Sequence, residues 1–393
     1  MKILMVHNFY QQAGGEDVVF AAEKDLLRQH GHEVIEFTAH NDQVEQMDKL
    51  KLATNTLWSR EYKQKLTALI AQTRPDIAHF HNTFMVISPA AYYACREAGI
   101  PIIQTLHNYR LFCLNATFYR DNHVCEDCLG KFFPLPGVIH ACYRDSKVVS
   151  GVVASMLTTH RALGTWTRVI DRYIALTEFA RDKFVEAGLP AEKLCVKPNF
   201  LKDDPGLGQH QGRYMIFVGR LTAEKGIMTL LEAWKNNPDI PLKIVGDGPL
   251  MEEVRAFVAA HQLTSVEIMG RQKREDTLAL IQNAYALLFP SQWYEGMPMT
   301  IIEAFACGTP VIGSELGSVA AVIADGRNGL RFEPGNPLDL AEKARALWTK
   351  DQLAADLGQA ARNDYEHYYT AENNYTQLLQ IYTDVLQRRQ NIG

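Results

Sequence analysis

Apolar and polar positions alternate in blocks that predict strands and helices in turn. An apolar run at residues 3–6 predicts a strand, an amphipathic pattern at about 18–28 predicts a helix, and residues 33–37 predict a second strand. Further strands are expected near residues 77–81, 101–106 and 172–176, separated by helical patterns. Because such alternation forms parallel sheets with right-handed crossovers, residues 1–200 predict a doubly wound α/β domain.

A second domain is expected after a polar stretch at residues 201–213, which is rich in Asp, Gly and Pro and predicts a hinge. From Tyr214 the alternation resumes and continues to about residue 370. Its predicted strands lie near residues 242–246, 265–269, 286–289 and 310–313. The last segment, 371–393, predicts a terminal helix that carries Tyr375 and Tyr382.

Composition narrows the class of protein. The 393 residues are 47% hydrophobic and 22% charged, with a net charge of −5, as in ordinary globular proteins. Residues 1–200 carry 22 Lys and Arg against 21 Asp and Glu (+1), and the remainder carries 18 against 24 (−6). Neither part is basic enough to indicate nucleic-acid binding. With no membrane span and no signal-peptide pattern, the expected location is the cytoplasm.

Two carboxylates eight residues apart, Glu295 and Glu303, are the strongest functional signal. Pro298 suits the first position of a helix that would carry Glu303 among apolar residues and stop at Gly308. A carboxylate buried there needs partners. The vicinal hydroxyls of a ribose would suit it, and so would a structural ion pair with Arg or Lys.

This E-x7-E segment, residues 294–304, resembles that of the retaining nucleotide-sugar glycosyltransferases with the GT-B fold, in their family four. The similarity extends to FVGRL at 217–221, to EKG at 224–226, to LKIVGDGP at 242–249 and to TPVI at 309–312. It covers residues 214–335, and the first half matches more loosely. No GxGxxG follows the first strand, which counts against an NAD-dependent oxidoreductase.

The resemblance implies two Rossmann-like domains that face each other across a cleft, with the last helix crossing back to the N-terminal domain. It implies transfer of a sugar, with retention, from a nucleoside diphosphate sugar to a glycan or lipid-linked acceptor, as in bacterial surface polysaccharide or glycoconjugate biosynthesis. No catalytic metal is expected, because protein cations replace it at the diphosphate.

Site residues follow from the same resemblance. Arg220 and Lys225 would stabilise the departing diphosphate, Glu303 would hold the ribose, and His107 would lie near the donor sugar. Glu295 and the 296–299 amides would meet the sugar or phosphate. The remaining donor-binding residues are Gly219 and Gly248 near the diphosphate, Arg271 and Gln272 near the base, and Gly296, Met297, Pro298 and Met299. Met297 and Pro298 depart from the commoner E-G-F-G pattern, which leaves the choice of donor sugar open.

The N-terminal domain contributes its own predicted groups. Gly14 and Gly15 would bring backbone amides to a phosphate, and Glu16 would face acceptor hydroxyls or cap the following helix. His7, His81 and His107 follow strand ends and should converge on one crevice, because ligands bind outside the carboxyl ends of parallel strands. A single histidine of this kind is more often a structural hydrogen-bonding group than a catalyst, and it is the three strand ends together that favour a shared site.

Four cysteines lie in the expected loop at residues 107–145: Cys113, Cys125, Cys128 and Cys142. The C-x2-C pair predicts a structural zinc site, with His123 or His140 as possible substitutes for one cysteine. Unligated, redox-active and iron–sulfur cysteines are the alternatives. Two other readings of the whole chain stay open: a GT-B epimerase or phosphorylase, and a catalytically silent scaffold that binds sugar nucleotides. Apolar residues at 132–135 and 148–157 suggest peripheral contact with the inner membrane, although a buried helix would explain the second stretch.

Overall fold

The computed structural model describes residues 1–11 and 14–390, so the last three residues of the predicted terminal segment lie outside the described residues. It divides into two compact units. Unit 1 comprises residues 1–118, 125–199 and the terminal segment from Ala371, and unit 2 comprises residues 119–124 and 200–370.

The elements up to residue 199 are, in chain order, β1 (Lys2–Phe9), α1 (Gly15–Gln29), β2 (Glu33–His40), α2 (Lys49–Trp58), α3 (Arg60–Thr73), β3 (Ile77–Phe80), α4 (Ala90–Glu97), β4 (Ile102–Leu106), β5 (Tyr119–Arg120), β6 (His123–Val124), α5 (Leu135–Ile139), α6 (Lys147–Ala162), β7 (Arg172–Ala175), α7 (Glu178–Glu186) and β8 (Leu194–Val196). A π-helical turn, Thr165–Val169, and two 3₁₀ helices, Asn41–Gln46 and Ala191–Lys193, lie between them.

The remaining elements are β9 (Met215–Val218), a 3₁₀ turn (Ala223–Lys225), α8 (Ile227–Trp234), β10 (Leu242–Val245), α9 (Met251–Ala260), β11 (Val266–Gly270), α10 (Arg274–Asn283), β12 (Ala286–Phe289), α11 (Met299–Ala306), β13 (Val311–Ser314), α12 (Gly317–Val322), β14 (Gly329–Phe332), α13 (Pro337–Trp348), α14 (Asp351–Tyr368) and α15 (Ala371–Gln390).

Unit 1 contains a six-stranded parallel sheet in the order β2-β1-β3-β4-β7-β8. The chain runs outward from β1 to β2 and then returns to β3, so the order reverses beside β1. Part of the core joins β1 to α15 through Ile3, Leu378 and Tyr382. The terminal helix is therefore an integral part of unit 1.

Unit 2 contains a second six-stranded parallel sheet, in the order β11-β10-β9-β12-β13-β14. Here the order reverses between β9 and β12, and the apolar core is built around Trp234 and the strands. The predicted fold class, two doubly wound parallel-sheet domains, is confirmed. The edge strands β8 and β14 were not predicted, because strands of three or four residues beside polar turns are too short to show a clear alternation of apolar and polar positions.

Candidate active site

The loops after β9 and β12 place the predicted diphosphate and sugar residues of unit 2 at the switch point of its sheet, where open α/β sheets bind ligands. Lys225 Nζ lies 2.7 Å from Glu295 Oε1, and Ser291 Oγ donates to the same oxygen at 2.7 Å. The Lys225 side chain is 22% exposed and that of Glu295 only 7%. The structure thus joins these two predicted residues in a half-buried ion pair.

Glycines allow the loops to pack this closely. At Gly226 the backbone is left-handed, and an added Cβ would lie 1.8 Å from the Pro290 carbonyl oxygen. A Cβ at Gly248 would meet the Leu221 carbonyl oxygen at 2.5 Å. Only glycine fits at either position, so the loops after β9, β10 and β12 depend on these residues for their contact.

Arg220 differs from Lys225 in having no partner. Its side chain is exposed, and across residues 1–11 and 14–390 it has neither a side-chain hydrogen bond nor an ion pair. Gly219 precedes it at the end of β9, and the Gly219 amide donates to the Val245 carbonyl at 3.0 Å. The guanidinium is therefore held on a fixed backbone with its donors available to a ligand.

Glu303 lies on α11, as predicted, but Pro298 is the residue before the first helical turn rather than a member of it. Glu303 is 8% exposed, and its carboxylate pairs with Arg274 Nη1 at 3.0 Å. Burial raises the pKa of Glu303, while Arg274 lowers it. Since the Arg274 side chain is 60% exposed, this partner can be exchanged for a ligand without breaking the core.

The other predicted donor-side residues lie in the turn after β11 and in the loop that leads from β12 to α11. Arg271 is exposed, and Gln272 donates to the Met269 carbonyl at 2.7 Å, which closes the turn after β11. Met297 is buried, whereas Gly296, Pro298 and Met299 are half-buried. The Ile301 amide donates to the Pro298 carbonyl at 3.2 Å, and the amides that precede it in the first turn of α11 favour an anionic or hydroxyl ligand.

In unit 1 the structure brings the three predicted histidines together. His81 Nδ1 lies 3.0 Å from His107 Nε2, the His7 and His81 ring centroids are 6.2 Å apart, and His7 Nε2 lies 2.7 Å from Asp17 Oδ1. Burial lowers the pKa of both His81 and His107 well below the usual range, so both rings are neutral. His7 and His81 are buried, and His107 is half-buried, beside a cavity of about 50 Å³.

A buried ion pair that the sequence did not reveal supports these rings. Lys197 Nζ lies 2.6 Å from Glu23 Oε1, and Glu23 Oε2 approaches His81 Nε2 to 3.3 Å. Glu23 and Lys197 are 174 residues apart in the chain, so no local pattern could have paired them.

Glu23, His79 and His81 have donor atoms that all lie within 4.8 Å of one another. His79 already bonds the Tyr382 hydroxyl at 2.7 Å and the Thr105 hydroxyl at 2.8 Å, and burial lowers its pKa to about 4. The Lys197 ammonium group is also paired with the Glu23 carboxylate. Glu23, His79 and His81 therefore form a hydrogen-bonding network rather than a cation site.

Some of the predicted phosphate-binding and acceptor-binding groups in the loop after β1 already have hydrogen-bond partners within the protein. The Gly14 amide donates to Asp17 Oδ2 at 2.8 Å, so it is not free for a phosphate, whereas Gly15 begins α1. Glu16 accepts from Asn108 Nδ2 at 3.1 Å. Burial, and then Asp17, raise the pKa of Glu16 to about 8. A carboxyl group of that pKa can hold or release a proton near neutrality.

The four loop cysteines form no disulfide. The Phe118 amide donates to Cys113 Sγ at 3.4 Å, the Cys125 amide donates to the Phe118 carbonyl at 2.7 Å, and burial raises the pKa of Cys128 to about 11. Among the residues that the structure describes, no three of these sulfur atoms lie within 4.8 Å of one another. The zinc site stays a prediction.

Comparison with known proteins agrees with this arrangement. The family model for "Glycosyltransferase Family 4" matches residues 13–204, and that for "Glycosyl transferases group 1" matches residues 202–364. D-rhamnosyltransferase WbpZ of Pseudomonas aeruginosa is 37% identical over 161 residues, which are 40% of this chain and 42% of that protein. An uncharacterized glycosyltransferase of Methanocaldococcus jannaschii, MJ1178, is 34% identical over 37% of this chain and 40% of its own length. The matched segment thus spans less than half of these two relatives.

Longer and weaker similarities cover the whole chain. N-acetyl-alpha-D-glucosaminyl L-malate synthase of Bacillus anthracis is 24% identical over 100% of this chain and 99% of that protein. The crystal structure of Anabaena Alr3699/HepE in complex with UDP has a TM-score of 0.69 at 18% identity, and covers 98% of this chain and 100% of that one. Sucrose-phosphate synthase from Thermosynechococcus elongatus has a TM-score of 0.72 at 17% identity, with coverages of 98% and 99%. The chain therefore belongs to the GT-B glycosyltransferases of the group 1 and family 4 type.

Proposed function

We propose that the protein is a retaining hexosyltransferase, which moves a sugar from a nucleoside diphosphate donor to a saccharide or lipid-linked acceptor in glycoconjugate synthesis. The observation that carries the proposal is the pair of cations after β9. Arg220 lacks a partner among the described residues, and Lys225 is held at 2.7 Å from Glu295 at the switch point of the sheet. Two such cations match a diphosphate leaving group, and no catalytic metal is needed.

Binding of the donor would use the remaining groups of unit 2. Glu303 would exchange Arg274 for the ribose hydroxyls, and Arg271 and Gln272 would approach the base. The α11 amides and Glu295 would meet the sugar or phosphate. As the bond to the leaving phosphate breaks, negative charge grows on its oxygen, and the preorganised cations stabilise that charge most at the transition state.

Unit 1 would supply the acceptor side. His107 is the histidine with an accessible face, so it would meet the donor sugar, whereas the buried His7 and His81 would orient it rather than touch an acceptor. Glu16 and Gly15 would meet acceptor hydroxyls or a phosphate. The leaving phosphate would accept the proton of the attacking hydroxyl on the same face of the sugar.

A panel of UDP-, GDP- and ADP-sugars tests the proposal. Nucleotide binding should raise the melting temperature, because ligand binding to the native state stabilises it by mass action. The matching donor should also be hydrolysed slowly to free sugar and nucleoside diphosphate. A scaffold would bind without hydrolysis, and an epimerase would return an altered nucleotide sugar.

Zinc in the cysteine loop is proposed as a structural rather than a catalytic group. Protein purified without added metal should contain about one zinc per chain by elemental analysis. Cys125→Ser should remove it and lower the melting temperature of unit 1, whereas Cys95→Ser, on α4 outside the loop, should retain the metal. A zinc-free preparation of unchanged stability would reject this role.

A further inference from the structure

Large apolar side chains are exposed together in one part of unit 1. Within residues 132–148, Phe132 is 61% exposed, Phe133 40%, Leu135 51%, Ile139 55% and Val148 78%. We name these five side chains the α5–α6 apolar surface. Other exposed apolar residues, such as Leu207 and Leu338 of unit 2, lie singly in their own segments. Single exposed residues need no explanation, whereas a contiguous group indicates an interaction site.

The five side chains follow the length of α6. The Phe132 carbonyl accepts hydrogen bonds from Arg161 Nη1 at 2.8 Å and Thr158 Oγ1 at 3.4 Å, near the end of that helix. Val148 lies at its beginning, and α5, with Leu135 and Ile139 one turn apart, packs against it. Sixteen helical residues span about 24 Å, so the surface is extended rather than a single pocket.

The core does not need these side chains. The inward face of α6 is formed by Val153, Met156 and Leu157, all buried. The inner side of α5 packs closely against the protein at Gly137, where an added Cβ would lie 2.7 Å from the Leu114 side chain. The surface is therefore a fixed platform whose apolar side chains point away from the packed interior.

The segment that carries the surface has a net charge of opposite sign to that of the whole protein. Residues 131–162 contain four Lys and Arg (Lys131, Arg144, Lys147, Arg161) and one acid, Asp145, so their net charge is 4 − 1 = +3, against −5 for the chain. Lys131, Arg144 and Lys147 are exposed beside the apolar side chains. A basic rim around an apolar platform matches an anionic lipid surface.

We propose that the α5–α6 apolar surface docks on an anionic phospholipid bilayer, with its apolar side chains at the acyl boundary and its three exposed cations at the phosphates. A second copy of the chain fits less well, because a symmetric contact would bring +3 against +3. No helix in the described part of the chain is long and apolar enough to cross a membrane. The inference does not depend on which sugar is transferred.

Vesicle flotation tests the inference on the full chain. Wild-type protein should float with vesicles of mixed phosphatidylcholine and phosphatidylglycerol at low salt, and much less with phosphatidylcholine alone or in 0.5 M salt. Phe132→Ser with Ile139→Ser should lower the partition about tenfold or more, because two large apolar side chains no longer leave water. Lys131→Glu with Lys147→Glu should abolish the preference for anionic lipid.

The matched control is Leu207→Ser with Leu338→Ser, which removes two comparably exposed apolar side chains of unit 2 and should not change flotation. All of these side chains are exposed, so circular dichroism and melting temperature should be unaffected. Absence of flotation by the wild type, or equal flotation of the Phe132/Ile139 variant, would overturn the proposal. So would a wild-type dimer in solution that this variant dissociates, because the surface would then bind a second copy.

Discussion

The two units differ in whether the charged groups of their predicted sites are satisfied inside the protein. In unit 1, Glu23 and Lys197 form a fully buried pair at 2.6 Å, and the neighbouring histidines bond to one another and to hydroxyls. In unit 2, Arg220 has no partner within the described ranges, and Lys225 is still 22% exposed. Buried, paired charges orient a site, whereas an exposed cation such as Arg220 remains available for a ligand. Lys225 is partly exposed but paired with Glu295 at 2.7 Å. Under the proposed function, the buried network of unit 1 would position its histidines, and the cations of unit 2 would meet the diphosphate.

The largest effect is expected when the buried pair is broken. Glu23→Ala should lower the free energy of unfolding by about 3–5 kcal/mol, because it leaves the Lys197 ammonium buried without a counter-charge. Denaturant unfolding measures it. Glu36→Ala, on β2, removes an exposed partner of Lys24 and Arg28 and should cost at most about 1 kcal/mol. A loss below 1 kcal/mol in Glu23→Ala would remove the distinction between the two regions.

Removing a cation of unit 2 should act on rate rather than stability. Arg220→Ala and Lys225→Ala should each lower kcat about 10²–10³-fold, or roughly 3–4 kcal/mol, and weaken donor binding much less, because the leaving-group charge is greatest in the transition state. Steady-state kinetics with nucleotide titration separates the two. The exposed cations Arg255 and Lys235, changed to Ala, are the controls. Full activity in the double Arg220/Lys225 variant would contradict the assignment.

Glu303 decides between a ligand contact and a structural ion pair. Glu303→Ala should weaken nucleotide binding by about 1.5–3 kcal/mol with little change in kcat, because ribose contacts are alike in the ground and transition states. Arg274→Ala should leave binding unchanged or stronger, since it frees the carboxylate. If both variants lower stability equally and neither changes nucleotide affinity by titration calorimetry, the pair is structural.

The smallest effect concerns Glu16, whose pKa is raised to about 8 in the folded protein. The folded state therefore binds a proton that the unfolded state has lost, and the stability this contributes disappears as the pH rises through about 8. Between pH 6 and pH 9 the free energy of unfolding of the wild type should fall by about 1–2 kcal/mol more than that of Glu16→Gln. This figure is reduced for the partial exposure of Glu16 to solvent. Parallel melting curves with the exposed Glu33→Gln as control would show it, and identical pH profiles would refute it.

Sequence alone led to the fold class and to the donor residues because both depend on local patterns. Strand–helix alternation predicts parallel sheets, and the E-x7-E spacing places Glu295 in a loop and Glu303 on a helix. The contacts that satisfy these groups are not local. Arg274 reaches Glu303 from another helix, and Lys197 reaches Glu23 across 174 residues, so neither pair leaves a periodic signal. Burial of His7 and His81 likewise depends on how α1 and β3 pack, which spacing does not reveal.

The stereochemistry of the early product tests the central claim most directly. With the donor identified by the binding panel, proton NMR of the first product formed gives the configuration at the anomeric carbon before any mutarotation. A retaining hexosyltransferase whose leaving diphosphate is stabilised by Arg220 and Lys225 should keep the configuration of the donor. An inverted product would contradict the proposed mechanism.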